Sequence, residues 1–383
     1  MQKKIIALAI AAAFAAPAAF ADTSNVSVYG VANVSYDMTK TGAVAAASSF
    51  SSNKVSSNTS RLGFKGTEDL GDGLSAIWQI ESLIQIDGQT AAGNTLANRN
   101  TFAGLSSKTA GTVFLGRHDT PYNLSNRKYD LFADGMADNR SIMGGGGALA
   151  TVGASFNGRQ PNVVAYISPA MSGLTGAIAY VAGAEGQTLA AQTKGSAWSL
   201  AALYGNGPIS ANFGYEVHNI GNAPGTLGPV AGVVGTIKET AWTISGGYKV
   251  DAFELNAIYE KTSDNFGGQA ALGTGALAAG SNVLGHRAYY LSGKYNVTAS
   301  DAVKLAYANA GSGAAINTGA TQISLGYDHS LSKRTTVYAA YTKLSNDTVG
   351  VYALSGNGTG APAAVAAGGA KPSAISLGMK HTF

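Results

Sequence analysis

Charge is scarce in this 383-residue chain, Asp, Glu, Lys and Arg together making up 12% of it, and it gathers in one place. The stretch from Gly116 to Arg159 carries Asp119, Asp130, Asp134 and Asp138 beside Arg117, Arg127, Lys128 and Arg140. No reacting group accompanies these charges. The histidines, at 118, 218, 286, 329 and 381, fall on different segments with no metal-ligand spacing, and the chain has no cysteine. Gly-x-Ser-x-Gly, His-Glu-x-x-His and Gly-x-x-x-x-Gly-Lys-[Ser/Thr] are all absent, so neither a catalytic nucleophile, a metal centre nor a cofactor cradle is encoded by a known local pattern. What remains is a set of fixed opposite charges on the longest gap between strand-like segments. A compact domain seldom carries so long a loop unless it has a function or is disordered.

The elements that must hold this loop are strands. In Trp198-Ser-Leu-Ala-Ala-Leu-Tyr204 and Ala211-Asn-Phe-Gly-Tyr-Glu-Val217 every second residue is apolar or aromatic. A period of two puts those residues on one face of a sheet and the polar ones on the other. The pattern recurs through Phe253–Tyr259, Val303–Tyr307, Ile323–Tyr327 and Val337–Tyr341, and about sixteen such segments are counted, beginning 26–37, 61–69, 74–86, 99–107, 111–117 and 162–168 and ending 374–383. Connections after even-numbered segments are tight, as in Leu70-Gly-Asp-Gly73 and Gly205-Asn-Gly-Pro208, whereas 38–60, 219–238, 262–286 and 344–373 are long and rich in Gly, Ala and Ser. Short and long connections in strict alternation, with an even strand count, are what a transmembrane barrel produces and a soluble sandwich does not.

Export agrees with that reading. Lys3 and Lys4, an apolar Ile5–Ala16 and the small-residue Ala19-Phe-Ala21 form a signal peptide over residues 1–21, leaving a single β-barrel domain over 22–383. The apolar run is too short for a spanning helix, which needs ~20 residues. With Lys3 and Lys4 removed, 23 basic and 21 acidic residues remain, a balance that excludes a nucleic-acid partner, for which a concentrated basic face is expected. A chain 45% hydrophobic with no second apolar run can enter a bilayer as a closed barrel, where every backbone N–H and C=O is paired between strands.

Three motifs then carry a resemblance. Ser60-Arg-Leu-Gly-Phe-Lys-Gly-Thr-Glu-Asp-Leu-Gly-Asp-Gly-Leu74, Arg99-Asn-Thr-Phe-Ala-Gly-Leu105 and Gly111-Thr-Val-Phe-Leu-Gly-Arg117 resemble consecutive wall strands of Gram-negative general porins. The ending Ile375-Ser-Leu-Gly-Met-Lys-His-Thr-Phe383 resembles the closing strand, its His-x-Phe being similar to porins of β-proteobacteria. The resemblance spans the whole mature chain. It implies a 16-stranded antiparallel transmembrane β-barrel in the outer membrane, assembled as a homotrimer among outer-membrane lipids and lipopolysaccharide. The third long loop, here 116–159, would fold inward.

The resemblance also implies a constriction between wall arginines and loop acids. Alternation points Arg61 and Lys65 inward, since Leu62 and Phe64 take the lipid face; Arg99, Arg117 and Arg159 match the family's basic-wall positions. Asp119, Asp130 and Asp134 are the candidate acids opposite them, although the family's Pro-Glu-Phe is missing from this loop, and Asp119 before Thr120-Pro121 reads equally as the start of a turn. Gln79 and Glu81 are expected to line the lumen. Phe383 is implied as the signal read by the outer-membrane assembly machinery. A bare bilayer is closed to ions because moving one into a medium of dielectric ~4 costs on the order of 20 kcal/mol. A water-filled barrel removes that barrier, and opposed rows of charge orient polar solutes. The expected function is passive diffusion of ions and small hydrophilic solutes with a mild anion preference, opposed by the lumenal Glu81, Glu216, Glu254 and Glu260. The alternatives are an outer-membrane enzyme built from separate strands, or a structural or adhesive barrel.

Overall fold

The computed structural model describes residues 25–44, 48–88, 96–144, 156–183, 194–221, 237–263, 285–312, 317–354 and 368–383. The leader expected over 1–21 lies outside the described residues. Seventeen strands make one antiparallel sheet: β1 (Asn25–Lys40), β2 (Ser51–Ser57), β3 (Arg61–Gly71), β4 (Leu74–Leu83), β5 (Thr101–Ser107), β6 (Gly111–Asp119), β7 (Arg159–Ile167), β8 (Leu174–Gly183), β9 (Gly195–Asn206), β10 (Ile209–Ile220), β11 (Ile237–Val250), β12 (Phe253–Ser263), β13 (Arg287–Asn296), β14 (Asp301–Ala310), β15 (Ala320–Ser330), β16 (Thr335–Asn346) and β17 (Ser373–Thr382). From β3 onward each strand pairs with the next in sequence, β1 pairs with both β2 and β3, and β17 pairs with β1 from Val31↔Thr382 to Lys40↔Ser373, which closes the cylinder.

Sixteen staves, rather than seventeen, surround the lumen. Strand β1 pairs with β2 along its second half, as in Val34↔Ser57, and with β3 along its first half, as in Val31↔Arg61. The two pairings differ by one residue, and Thr59 between them has φ +54°. β2 and β3 are therefore one stave interrupted by a bulge, with the Ser60 hydroxyl donating to the Asn33 carbonyl at 2.9 Å across the break. The expected loop 38–60 thus contains a strand at 51–57. Its sequence, SSNKVSS, has almost no apolar residue to alternate, so pairing with β1 rather than side-chain burial holds it extended.

The two faces of the wall sort by chemistry. Ile244, Leu255, Leu291, Leu305, Leu325 and Leu377 are each half or more exposed, and Leu305 lies directly across from Leu325. In water such a belt would aggregate; against lipid it is the apolar outer band of a barrel. The alternate positions are small or polar, among them Asn256, Ser292, Ala306, Ser324 and Ser376, all buried. No helix among the described residues is long and apolar enough to cross a membrane.

The connection after β6 lies against that second face. It opens with helix α1 (Pro121–Asn126), whose N-cap Thr120 accepts a hydrogen bond from the Asn123 N–H at 3.4 Å and whose proline stands in the first turn, where its missing N–H costs nothing. Asn212 and Ser245, on β10 and β11, both donate to the Ser125 carbonyl, at 2.8 and 2.6 Å. Single turns of 3-10 helix follow at Arg127–Tyr129 and Asn139–Ser141. Tyr129, Phe132, Met136, Ile142 and Met143 pack with Ile258, Tyr290, Ala306 and Ala308 of the wall into the main apolar cluster. Since Ile258 and Ala306 alternate with the exposed Leu255–Tyr259 and Leu305 positions, this cluster is on the inner side of the barrel.

Candidate functional site

Two charged groups meet where the loop approaches the opposite wall. In the first, Glu81 on β4 accepts from Arg99 Nε at 2.5 Å and from the Tyr29 hydroxyl at 3.1 Å, while Arg61 Nε stands 3.9 Å away. Arg61 Nη1 reaches Asp134 of the loop at 3.4 Å, and Asp134 is bound in turn by Arg127 Nη2 at 3.1 Å. The charges therefore alternate in sign from wall to loop: Arg99, Glu81, Arg61, Asp134, Arg127. Local geometry makes room for them. A Cβ on Gly63 would lie 2.3 Å from the Tyr29 ring, so a glycine between Arg61 and Lys65 lets Tyr29 lie across the strand and reach Glu81. Lys65 Nζ sits 5.2 Å above the same ring and forms no salt bridge among the described residues.

The loop's own charges centre on Arg127. Its guanidinium binds Asp138 at 2.6 Å, Asp130 at 3.2 Å and Asp134 at 3.1 Å. Asp138 also caps the second 3-10 turn through the Arg140 N–H at 2.9 Å and accepts from the Asp134 N–H at 2.9 Å. Burial, and then the neighbouring Asp138, push the Asp130 carboxyl up to about 6. Asp138 moves the other way: burial opposes its charge, but the Arg127 guanidinium holds it well below the usual carboxylate range. The loop is further pinned by Tyr122, whose hydroxyl donates to Glu260 at 2.6 Å and whose own ionisation is driven far up by burial and by that carboxylate.

The second group lies at the root of the loop. Arg159 Nη2 meets Asp119 at 2.9 Å, and Asn100 donates to Asp119 at 3.0 Å while accepting from Arg159 Nε at 2.5 Å. Asn123 of α1 donates to Asp119 at 3.1 Å, joining wall to helix.

These placements sort the expected site residues. Arg61, Arg99, Glu81 and Asp134 come together in the first group, and Arg159 with Asp119 in the second. Asp119 is a wall residue at the end of β6, beside its arginine rather than across the lumen from it. Asp130 faces away from Arg61 and Arg99: it accepts from the Tyr290 hydroxyl at 3.0 Å and from the Phe132 and Asn139 N–H groups. Arg117 sits at an irregularity of the wall: pairing with β5 continues to Thr101↔Arg117, but pairing with β7 shifts register between Gly116 and His118. Its guanidinium donates to the Asn98 carbonyl at 3.0 Å, within electrostatic reach of Arg159 and Asp119. Arg127, Asp138, Tyr29 and Asn100 were not singled out by the sequence as site residues. Arg127 and Asp138 are separated by eleven positions in a stretch with no periodicity, so only the folded loop brings them together.

Comparisons agree with the barrel and extend it. The Gram-negative porin family model matches residues 7–349. Outer membrane porin protein 32 of Delftia acidovorans is 30% identical over the whole of both chains. An outer membrane porin of Bordetella pertussis is 29% identical, again over the whole of both chains. Among solved structures, the anion-selective porin from Comamonas acidovorans superposes with a TM-score of 0.76 at 27% identity, covering 94% of this chain and 100% of that one. With a matched family profile, a full-length relative and a sixteen-stave closed wall in agreement, this chain belongs to the Gram-negative porins, outer-membrane diffusion channels rather than enzymes.

Proposed function

We propose that this porin conducts ions and small hydrophilic solutes passively with a mild preference for anions, and that Arg61, Lys65, Arg99 and Arg159 form the basic side of its constriction with Asp134 and Glu81 as the acids that temper them. The observation that carries this is the alternating chain from Arg99 to Arg127, which ties the loop to the wall through Asp134. In it Arg61 is held loosely, at 3.4 and 3.9 Å from its two acids, and about a fifth of its side chain is exposed to a passing ion. The similar porin from Comamonas acidovorans is anion-selective, which supports the same sign. Reversal potentials across a planar bilayer in a KCl gradient test it: a clear cation preference refutes the proposal.

The functional unit is proposed to be a homotrimer, so conductance should rise in steps of three. The apolar outer band is proposed to meet lipid and lipopolysaccharide, Phe383 to serve the assembly machinery, and residues 1–21 to be cleaved. N-terminal sequencing of the assembled protein should begin near Asp22.

A further inference from the structure

We propose that the barrel holds a second anion site, separate from the arginine constriction, that takes a small divalent oxyanion of the phosphate class in a vestibule on the short-turn side of the loop. It rests on the reading of the chain as an open anion-passing channel. The vestibule is a cavity of about 310 Å³ between the loop tip at 131–137 and the wall of β14 to β17. Arg61, Glu81 and Arg99 do not line it. Its charged lining is four cations, Lys304, Lys333, Arg334 and Lys380, and one carboxylate, Asp328.

That carboxylate is already engaged. Lys304 Nζ bridges to Asp328 at 2.9 Å, donates to the Leu131 carbonyl at 3.3 Å and lies 4.9 Å above the Phe132 ring. Lys333, Arg334 and Lys380 form no salt bridge among the described residues; Asp134 and Asp328 act on Lys380 only at a distance, and the lining keeps four cations against one acid. Its shape is built rather than incidental. The Phe132 ring sits where a Cβ on Gly326 would be, 2.7 Å from that position, and the Tyr338 ring covers Gly378 at 2.3 Å in the same way. These two glycines let the loop tip close one end of the space while Lys333 and Arg334, in the tight turn between β15 and β16, stand at the other.

The charge and size select the ligand class. A dianion interacts twice as strongly as chloride with each of three cations, and a guanidinium with lysine ammonium groups suits tetrahedral oxygens. The space is large enough for phosphate with part of its hydration shell. Short turns of outer-membrane barrels face the periplasm, so the site would hold an anion that has passed the constriction, or one that approaches from within.

The test is chloride current through the reconstituted porin at pH 8 with inorganic phosphate added on the short-turn side. Saturable reduction of the current is expected, with the half-blocking concentration raised about tenfold by Lys380→Gln and likewise by Lys333→Gln with Arg334→Gln on the surface turn. Arg99→Gln, in the constriction, should leave that concentration little changed. A chloride-passing channel with no saturable phosphate effect overturns the site, as does a block abolished by Arg99→Gln and kept in Lys380→Gln. If chloride does not pass at all, the channel reading fails instead. Equilibrium dialysis of the detergent-solubilised protein against phosphate then decides the site: saturable uptake weakened by Lys380→Gln upholds it, and no uptake overturns it.

Discussion

Arg61 and Arg99 share Glu81 but differ in what is left over for a permeant ion. Arg99 lies 2.5 Å from the carboxylate, while Arg61 stands 3.9 Å from it and 3.4 Å from Asp134. Reversing the charge at Arg61 would place a third acid between Glu81 and Asp134. Two unit charges ~4 Å apart interact by ~1 kcal/mol even in bulk water, so Arg61→Glu should lower the chloride-to-potassium permeability ratio by roughly fivefold. An unchanged reversal potential would move the selectivity away from this residue. Asp130 gives a second prediction of the opposite kind. Its carboxyl, pushed up to about 6, is raised in the fold, so its ionised form is disfavoured there. The contribution of its protonated form to loop docking is whole below the unfolded value of about 3.8 and is lost as pH rises through about 6. In the same window the carboxylate's negative charge appears inside the barrel, where salt screens it weakly. Anion preference should therefore increase as pH falls from 7.5 to 5, and Asp130→Asn should remove that part of the dependence. Identical pH profiles for the two proteins would count against it.

At the scale of elements, the loop after β6 is held by one cation and a set of wall contacts. Arg127 is the common partner of Asp130, Asp134 and Asp138, so Arg127→Leu leaves three neighbouring carboxylates without it. Breaking a buried pair in this way costs about 3–5 kcal/mol. The loop should loosen, and single-channel conductance should rise with added current noise. Deleting 130–140 also removes Phe132 and Met136 from the inner cluster and should raise conductance further, provided heat-modifiable barrel is still recovered. Conductance at the parental level in both variants would place the narrowest point elsewhere. The position of this loop is legible in the sequence, because alternation in the flanking strands and the parity of turns count it out as the third long connection. Its contacts are not. Asp130 and Asp134 are four residues apart and look equivalent, yet Asp134, with φ +70°, turns toward Arg61 while Asp130 turns toward Tyr290. Backbone turns of that kind follow from packing, not from any local pattern. The surroundings of Arg117 are hidden for a related reason: pairing with β7 shifts register between Gly116 and His118, and the side chain turns to the Asn98 carbonyl, which alternation along β6 does not foretell. Strand β2 escapes because it lacks the apolar residues from which alternation is read.

The whole molecule depends on closure, because an unclosed sheet would leave a row of unpaired N–H and C=O groups in hydrocarbon. The seam between β1 and β17 extends to the last residue. Gly30 N–H donates to the Phe383 carbonyl at 3.0 Å, and Phe383 N–H donates to the Gly30 carbonyl at 3.2 Å. The Phe383 ring then folds over Gly30 on the lipid side, where a Cβ would come within 2.3 Å of the ring and within 2.7 Å of the Arg61 carbonyl of β3. The two contacts predict different consequences. The ring can swing away, but the carbonyl belongs to the neighbouring stave and moves only with the wall. Gly30→Val should therefore destabilise the closed barrel by about 1–3 kcal/mol, the usual cost of overpacking, read as a lower temperature for loss of the compact band in semi-native gels. Phe383→Ala added to Gly30→Val relieves the ring contact and leaves the clash with β3, so the double variant should recover part of the lost temperature and not all of it. Full recovery would mean that the seam is limited by the terminal ring alone, and no loss in Gly30→Val would mean that the wall at Arg61 yields more easily than a closed ladder of hydrogen bonds allows.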